Sequence, residues 1–251
     1  MINGQEKNKL NYKKGVKDGL PIGLGYFSVS LAFGVQASLL GLPVILTVLI
    51  SMTNLTSAGQ LAGLDIVVSA GAVTGIATLV VEMILSQVVI NARYFLMSLT
   101  LSQKLDDSFT LPKRLICSTF ITDEIFAVGS AQKIISTRYF LGLATLPYAG
   151  WTLGTLVGAL AGSLLPPFIS SALGIALYAM FIAIIIPPST KNTGVCFVVL
   201  LSAGLSCLFY YVPVLNANVS MGFAVIICAI VSAVVMALIC PVKEEKKDEL
   251  P

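Results

Sequence analysis

The chain has 251 residues, 57% of them hydrophobic and 11% charged, with a mean hydropathy of +0.94. Soluble domains carry about 25% charged residues, so a water-facing surface cannot be built from this supply. Seven of the 27 charges lie in residues 1–20 and seven more run unbroken from Lys243 to Glu249, leaving 13 for the 222 residues between. A soluble fold is excluded, and the net charge of +3 gives no sign of nucleic acid, because it comes mainly from N-terminal lysines that read as a topology signal.

A membrane helix needs about 20 mostly apolar residues, and eight stretches reach that length: 20–40, 43–63, 66–90, 115–132, 139–162, 168–187, 192–212 and 219–240. The runs are continuous rather than alternating, so they predict helices and not barrel strands. About twenty polar or mixed residues precede a first run of full spanning length, a pattern unlike a secretory signal. Connections are short and marked by Gly41-Leu42-Pro43, Pro166-Pro167, Pro187-Pro188 and Pro213. The expectation is an all-α fold: a polytopic helical membrane bundle of about eight transmembrane helices. Residues 1–251 are expected to form a single membrane domain, with a cytoplasmic N-terminal segment 1–19 and a charged tail 241–251. The five cysteines carry no C-x-x-C pair and read as small hydrophobes.

Segment 91–114 opens Asn91-Ala92-Arg93-Tyr94, has a short apolar run to Leu101 and ends in a polar loop. Twelve apolar residues are too few to span, which predicts a half-helix or an extension of the third span. With eight spans, Lys and Arg divide eleven to four, with Arg93, Lys104, Lys113 and Arg114 on the far side. A ninth crossing by 91–102 would make the division eight to six. The positive-inside rule favours eight spans with both termini cytoplasmic.

A weak echo appears at an offset of 124 residues. Gly154, Gly158 and Gly162 correspond to Ser30, Gly34 and Ser38, and Pro167 to Pro43. Small residues four apart let helix backbones approach closely, so two readings stand: reuse of a packing face, or an internal repeat of the kind that builds secondary transporters.

Polar groups at membrane depth are costly and mark function unless structure explains them. Glu82 lies mid-way along the third stretch, Arg93 at its end, and Asp123 and Glu124 at the centre of the fourth. Thr53, Asn54, Thr56, Ser57, Gly59 and Gln60 interrupt the second. Adjacent helical residues point about 100° apart, so Asp123 and Glu124 cannot share one partner. One could carry a proton or bind a cation while the other pairs with a group such as Arg93. A static ion pair is the competing reading. The second stretch is either hydrogen-bonded to a neighbouring helix or locally unwound so that its backbone coordinates a substrate.

The chain has no histidine, which removes Ser-His and Cys-His nucleophiles and H-E-x-x-H metal sites. No P-loop G-x-x-x-x-G-K-[ST] occurs. No enzyme, metal site or cofactor is expected.

Several motifs nevertheless resemble one family. Gly19-Leu20-Pro21, Ser57-Ala58-Gly59-Gln60, Asn91-Ala92-Arg93-Tyr94 and Ile121-Thr122-Asp123-Glu124-Ile125-Phe126-Ala127 follow in order. Trp151-Thr152-Leu153-Gly154 with its glycine ladder, Leu173-Gly174 and Phe181 come after them. Together they look like the AzlC-type permeases, the large subunits of bacterial branched-chain amino acid exporters, over about 15–240. The family usually has His after the Arg of N/D-x-R-H, where this chain has Tyr94. Tyrosine donates a hydrogen bond but does not carry a proton near neutral pH, so coupling would fall to Asp123, Glu124 or Glu82.

The resemblance implies a multi-pass protein of the bacterial cell membrane, embedded in the lipid bilayer. It implies proton-driven export of leucine, isoleucine, valine or similar solutes, and a small, separately encoded AzlD-type membrane subunit. On that expectation Asn54, Ser57, Gln60, Asn91 and Arg93 bind the substrate. Asp123, Glu124 and Glu82 couple protons. Self-association into a homo-oligomer is compatible with it. A non-transporting membrane scaffold or assembly subunit is the alternative, in which the acids are structural pairs.

Overall fold

The computed structural model describes residues 11–69, 76–162 and 192–239, with isolated positions and the stretch 185–190 between. The expected span 168–187 falls largely outside the described residues. So do Leu173-Gly174, Phe181, Pro166-Pro167, Cys240, residues 1–10 and the charged tail, while the rest of the expected N-terminal segment, from Tyr12, is the first part of a helix. Among the described residues the structure is helical, apart from one isolated bridge between Leu105 and Ile135. Ten helices are used below: α1 (Tyr12–Leu39), α2 (Val44–Thr53), α3 (Ser57–Ser69), α4 (Ile76–Ser102), α5 (Leu111–Ser118), α6 (Asp123–Ser130), α7 (Thr137–Ala161), α8 (Thr193–Tyr211), α9 (Pro213–Asn218) and α10 (Met221–Ile239). Five are long and apolar enough to cross a membrane: α1, α4, α7, α8 and α10. The chain divides into two compact units, Met1–Val68 with Ile90–Met180, and Ser69–Val89 with Phe181–Pro251.

The first unit is framed by α1 and α7. Asn11 caps α1 by accepting from the Lys14 N–H at 3.0 Å, and Ser136 caps α7 through Tyr139. The two helices run in the same direction in backbone contact. Gly15 lies against Tyr139, Gly23 against Leu146 and Gly34 against Thr155, while Gly150, Gly154 and Gly158 face Gly23, Phe27 and Leu31. A Cβ at Gly34 would run into the Thr155 carbonyl, and one at Gly158 into that of Leu31. The positions that echo at 124 residues therefore meet one another: they form the close-packing face that small residues allow where no hydrophobic driving force exists. At the starting ends the Tyr139 hydroxyl donates to Asp18 at 2.9 Å.

Two expected spans differ from the sequence reading. The stretch 43–63 is not one helix but α2 and α3, and 115–132 is not one helix but α5 and α6. Each pair doubles back. α2 leaves the turn after α1, where Gly41 has φ 83°. It reaches the level of Tyr148 on α7, whose hydroxyl donates to the Met52 carbonyl at 3.3 Å. α3 then returns, bringing Leu64 against Phe33 and Ala37 with Leu42 beside them. α5 and α6 enter from the opposite end. The Ser108 hydroxyl accepts from the Thr137 N–H at 3.0 Å, and the Lys104 ammonium reaches the Ser130 carbonyl. At its inner turn this hairpin puts Phe120 edge-on to Tyr148, with ring centroids 5.3 Å apart.

The reason for both breaks is the same. Thr53 and Thr119 fold their hydroxyls back onto carbonyls of their own helices, and Thr56 and Thr122 then cap the next helix by accepting from N–H groups three residues on. The shared Thr-x-x-Thr ends one helix and starts another. Segment 91–102 is the extension of the third span, part of the 27-residue α4.

The two hairpins together also revise the charge division. Lys104, Lys113 and Arg114 lie at the end shared by Lys13, Lys14, Lys17, Lys133 and Arg138, not at the far one. Among the described residues of the first unit, Arg93 alone of nine basic residues sits elsewhere.

In the second unit, Asn192 caps α8 through the Gly194 and Val195 N–H groups. α8 has no buried residue. Glu82, on the α4 turn belonging to this unit, accepts from the Ser220 hydroxyl at 2.5 Å and the Gly222 N–H at 2.9 Å. It thereby caps the start of α10.

Two outcomes follow. Gly158→Val should lower the melting temperature of the purified protein, an overpacking cost of about 1–3 kcal/mol, whereas Gly204→Ala, with nothing within 4 Å of its Cβ position, should not. Cysteines placed at Lys14, Lys113 and Lys133 should all react with an impermeant thiol reagent from the same side of a vesicle; labelling of position 113 from the opposite side would make 115–132 a full crossing.

Candidate functional site

The inner turns of the two hairpins meet α1, α4 and α7 near mid-length. α6 begins with Asp123 and Glu124 in its first turn, where carboxylates are favoured by the positive end of the helix dipole. Instead of lying mid-helix, the two acids occupy a helix start, and as neighbours they point to different partners. Asp123 Oδ2 pairs with Arg93 Nη1 on α4 at 3.0 Å. The Tyr26 hydroxyl on α1 hydrogen-bonds Glu124 Oε2 and lies 2.6 Å from Thr122 Oγ1.

Arg93 is oriented from two sides. Its Nη2 donates to the Tyr94 hydroxyl at 3.1 Å, and its guanidinium carbon lies 5.0 Å from the centroid of that ring. Its Nε is buried and has no partner among the described residues. The Arg93 and Asp123 side chains remain 39% and 28% exposed, so the pair is accessible rather than sealed.

On the other hairpin, Gln60 is buried and bonded through both its amide nitrogen and its carbonyl oxygen. Its amide NH2 donates to Ser51 Oγ at 2.8 Å, and its carbonyl accepts from Trp151 Nε1 at 3.1 Å. Ser51 continues to Thr155 at 2.7 Å. Trp151 meets Tyr26 edge-on, with centroids 5.3 Å apart. The indole thus joins the Gln60 network to the Tyr26–Glu124 bond.

Among the sequence candidates, Arg93, Asp123 and Glu124 come together at the α6 start. Gln60 reaches the same level through Trp151. Asn54 and Ser57 flank the break before α3, half-buried, and their side chains have no hydrogen-bond partner among the described residues. Asn91 is half-buried on α4, two positions before Arg93. Glu82 lies eleven positions before Arg93, about 16 Å along the helix axis, and is occupied at the start of α10. Tyr26, Thr122, Tyr148 and Trp151 were not among the candidates. Thr122 and Trp151 stood inside the quoted motifs, and Tyr26 was an unexplained hydroxyl in the first apolar stretch. Ser51 and Thr155 carried no signal, because hydroxyl residues are ordinary in membrane helices. Among the described residues, no three His, Cys, Asp or Glu side chains group closely enough to hold a metal ion.

The AzlC protein family model matches residues 21–165, which hold every residue of this site. The chain belongs to the AzlC family. Among its AzlC relatives is the protein named "Inner membrane protein YgaZ" of Escherichia coli K12, 26% identical over 235 residues that cover 90% of this chain and 91% of the relative. An "Uncharacterized membrane protein" of Archaeoglobus fulgidus is 31% identical over 182 residues, 70% of this chain and 75% of the relative. No solved structure matches the chain significantly. As an AzlC-family membrane protein, the chain has a character consistent with a role in membrane transport.

Arg93→Gln and Asp123→Asn should each lower the melting temperature, because each strands the other's charge. The double variant should lose less than the sum of the two. Strict additivity would show that the pair is not coupled.

Proposed function

We propose that this AzlC-family protein is a secondary transporter rather than an enzyme, exporting branched-chain or related hydrophobic amino acids. It works as the large subunit beside a small AzlD-type membrane partner. The observation that carries the reading is the accessible Arg93–Asp123 pair at the inner turn of a broken helix, beside the Tyr26–Glu124 bond. An amino acid is a zwitterion, and this pair offers both complements. Its carboxylate takes the Arg93 guanidinium, whose Nη groups form a fork suited to it. Its ammonium takes the Asp123 oxygen so released. Asn54 and Ser57, at the start of α3, which has no acid in its first turn, supply neutral bonds to the same carboxylate, and Asn91 steadies the Arg93 turn. Apolar walls accept the aliphatic side chain.

Glu124 is assigned the coupled proton. Its bond to Tyr26 ties its charge state to the position of α6, so that protonation loosens the turn and deprotonation restores it. Asp123, exchanged between Arg93 and substrate, is the second proton candidate. Glu82 is the third, acting at the start of α10.

The basic end of the first unit is placed at the cytoplasm, on the positive-inside rule. The eight apolar stretches are assigned to full crossings, except 43–63 and 115–132, which enter from opposite faces and turn back. The 124-residue echo, whose halves lie on the parallel α1 and α7, is read as the internal repeat, and the two hairpins, alike in their Thr-x-x-Thr turns, as a pair entering from opposite faces. Such a pair gives each face of the membrane one hairpin to open.

Vesicles preloaded with labelled leucine and containing both subunits should release it faster under a proton gradient, and a protonophore should abolish the difference. Arg93→Ala and Glu124→Gln should reduce release at least about tenfold, as expected for a lost charge-assisted contact. Wild-type rates in both variants would defeat the site. No release of any branched-chain amino acid by the wild-type pair would defeat the function.

A further inference from the structure

A groove of about 280 Å³ opens at the basic end of the first unit, between the last turns of α4, the length of α5 and the start of α7. Its wall is almost wholly apolar: Phe95, Leu99, Leu105, Phe109, Leu115 and Phe140. Neither Arg93 nor Asp123 lines it, although Phe95 and Ile121 bring its inner end toward them, and no residue assigned to transport is part of its wall. Arg114 stands on its wall. The Arg114 Nε donates to the Phe109 carbonyl at 3.3 Å, while its two Nη groups have no partner among the described residues. The neighbouring Lys113 ammonium donates to the Ser108 carbonyl at 2.9 Å. No carboxylate pairs with either cation among the described residues; Asp106 bonds Ser108 instead.

We propose that this groove is a binding site for one anionic phospholipid, with an acyl chain along the apolar wall and the phosphate on Arg114 and Lys113. The chemistry favours this occupant over the others. A zwitterionic lipid would fill the wall but bring a choline cation to two unneutralised cations. A free phosphate would satisfy the cations but leave the apolar wall empty. A partner helix, about 10 Å across with its side chains, does not enter a cavity of this volume. An arginine with both Nη groups free matches phosphate geometry. A basic pocket beside membrane helices is where anionic headgroups collect, each cation adding attraction at the surface.

The full chain in nanodiscs of phosphatidylcholine, doped with phosphatidylglycerol carrying a diazirine in its acyl chain, tests this. Photolysis should label peptides containing Phe95–Ser102 and Leu115–Ile121. The matching choline probe should label them less, by about fivefold for each cation engaged. Arg114→Gln with Lys113→Gln should bring glycerol-headgroup labelling down to the choline level, while the exchange Arg114→Lys with Lys113→Arg keeps most of the preference. Ser98→Phe places a ring in the groove at a residue whose hydroxyl bonds only its own helix, at the Tyr94 carbonyl, and should reduce labelling by both probes. Equal labelling by the two probes in the wild type would overturn the proposal. So would a preference that survives the double Gln variant, labelling spread evenly over the Ile84 and Val88 face of α4, or competition by soluble glycerophosphate. None of these readouts depends on transport.

Discussion

Everything in the first unit hangs on the backbone contact between α1 and α7. Two 25- to 28-residue helices run parallel with glycines facing carbonyls on both sides. Few side chains, such as those of Ser30 and Ser38, lie between them. In lipid the helices gain nothing from burying apolar surface against each other, so dispersion at close range and the few polar bonds must hold them. Asp18 with Tyr139, and Tyr12 with Thr145, supply such bonds at one end. The result is a rigid ridge from which Tyr26, Tyr148 and Trp151 project at one level. Both hairpins rest on that ridge, and their inner turns are positioned by it.

Breaking a helix at membrane depth exposes backbone groups that lipid cannot satisfy, a cost of several kcal/mol for each orphan. The chain answers locally. Thr53 and Thr119 close one helix end, and Thr56 and Thr122 open the next. What the threonines leave over is the positive end of each new helix, and there the two hairpins differ. α6 meets it with Asp123 and Glu124, while α3 has no acid in its first turn. One turn is thus held by ionic and tyrosine contacts, the other by the neutral Ser51–Gln60–Trp151 network.

Much of this was legible in the amino-acid order. The scarcity of charge identified a helical membrane protein and singled out Arg93, Asp123 and Glu124, and the structure brings those three together. The glycine ladder announced a close helix contact, although not that its two halves would face each other. The second stretch carried its break openly, in a run of Thr, Asn, Ser and Gln. The fourth did not. Thr119 and Thr122 sit among Phe120, Ile121 and Ile125, and their hydropathy averages to that of a spanning helix. Only hydroxyls turned toward backbone separate a turn from a crossing there, and window averages do not register them. Reading both broken stretches as crossings carried Lys104, Lys113 and Arg114 to the wrong end: the second stretch flipped them, and the fourth flipped the chain back by Lys133. Tyr26 was missed for a related reason: a lone hydroxyl acquires meaning through a partner 98 positions away in the chain.

The corrected charge division bears on why the site tolerates its acids. With every other described basic residue of the first unit gathered at one end, Arg93 is the only cation there able to balance carboxylates at mid-length. It balances Asp123 and leaves Glu124 to a neutral phenol. A lone carboxylate beside a tyrosine in a medium that disfavours charge is at rest only while the hydrogen bond and the α6 dipole both hold. Moving α6 by a fraction of a turn against α1 breaks the hydrogen bond, while the dipole, which belongs to the helix that carries Glu124, moves with it. The ion pair therefore fixes the hairpin, the tyrosine bond makes its position conditional, and the neutral network on the opposite hairpin carries no such condition. Two hairpins held in these different ways are unequal: one is fastened through charged groups, the other through neutral ones.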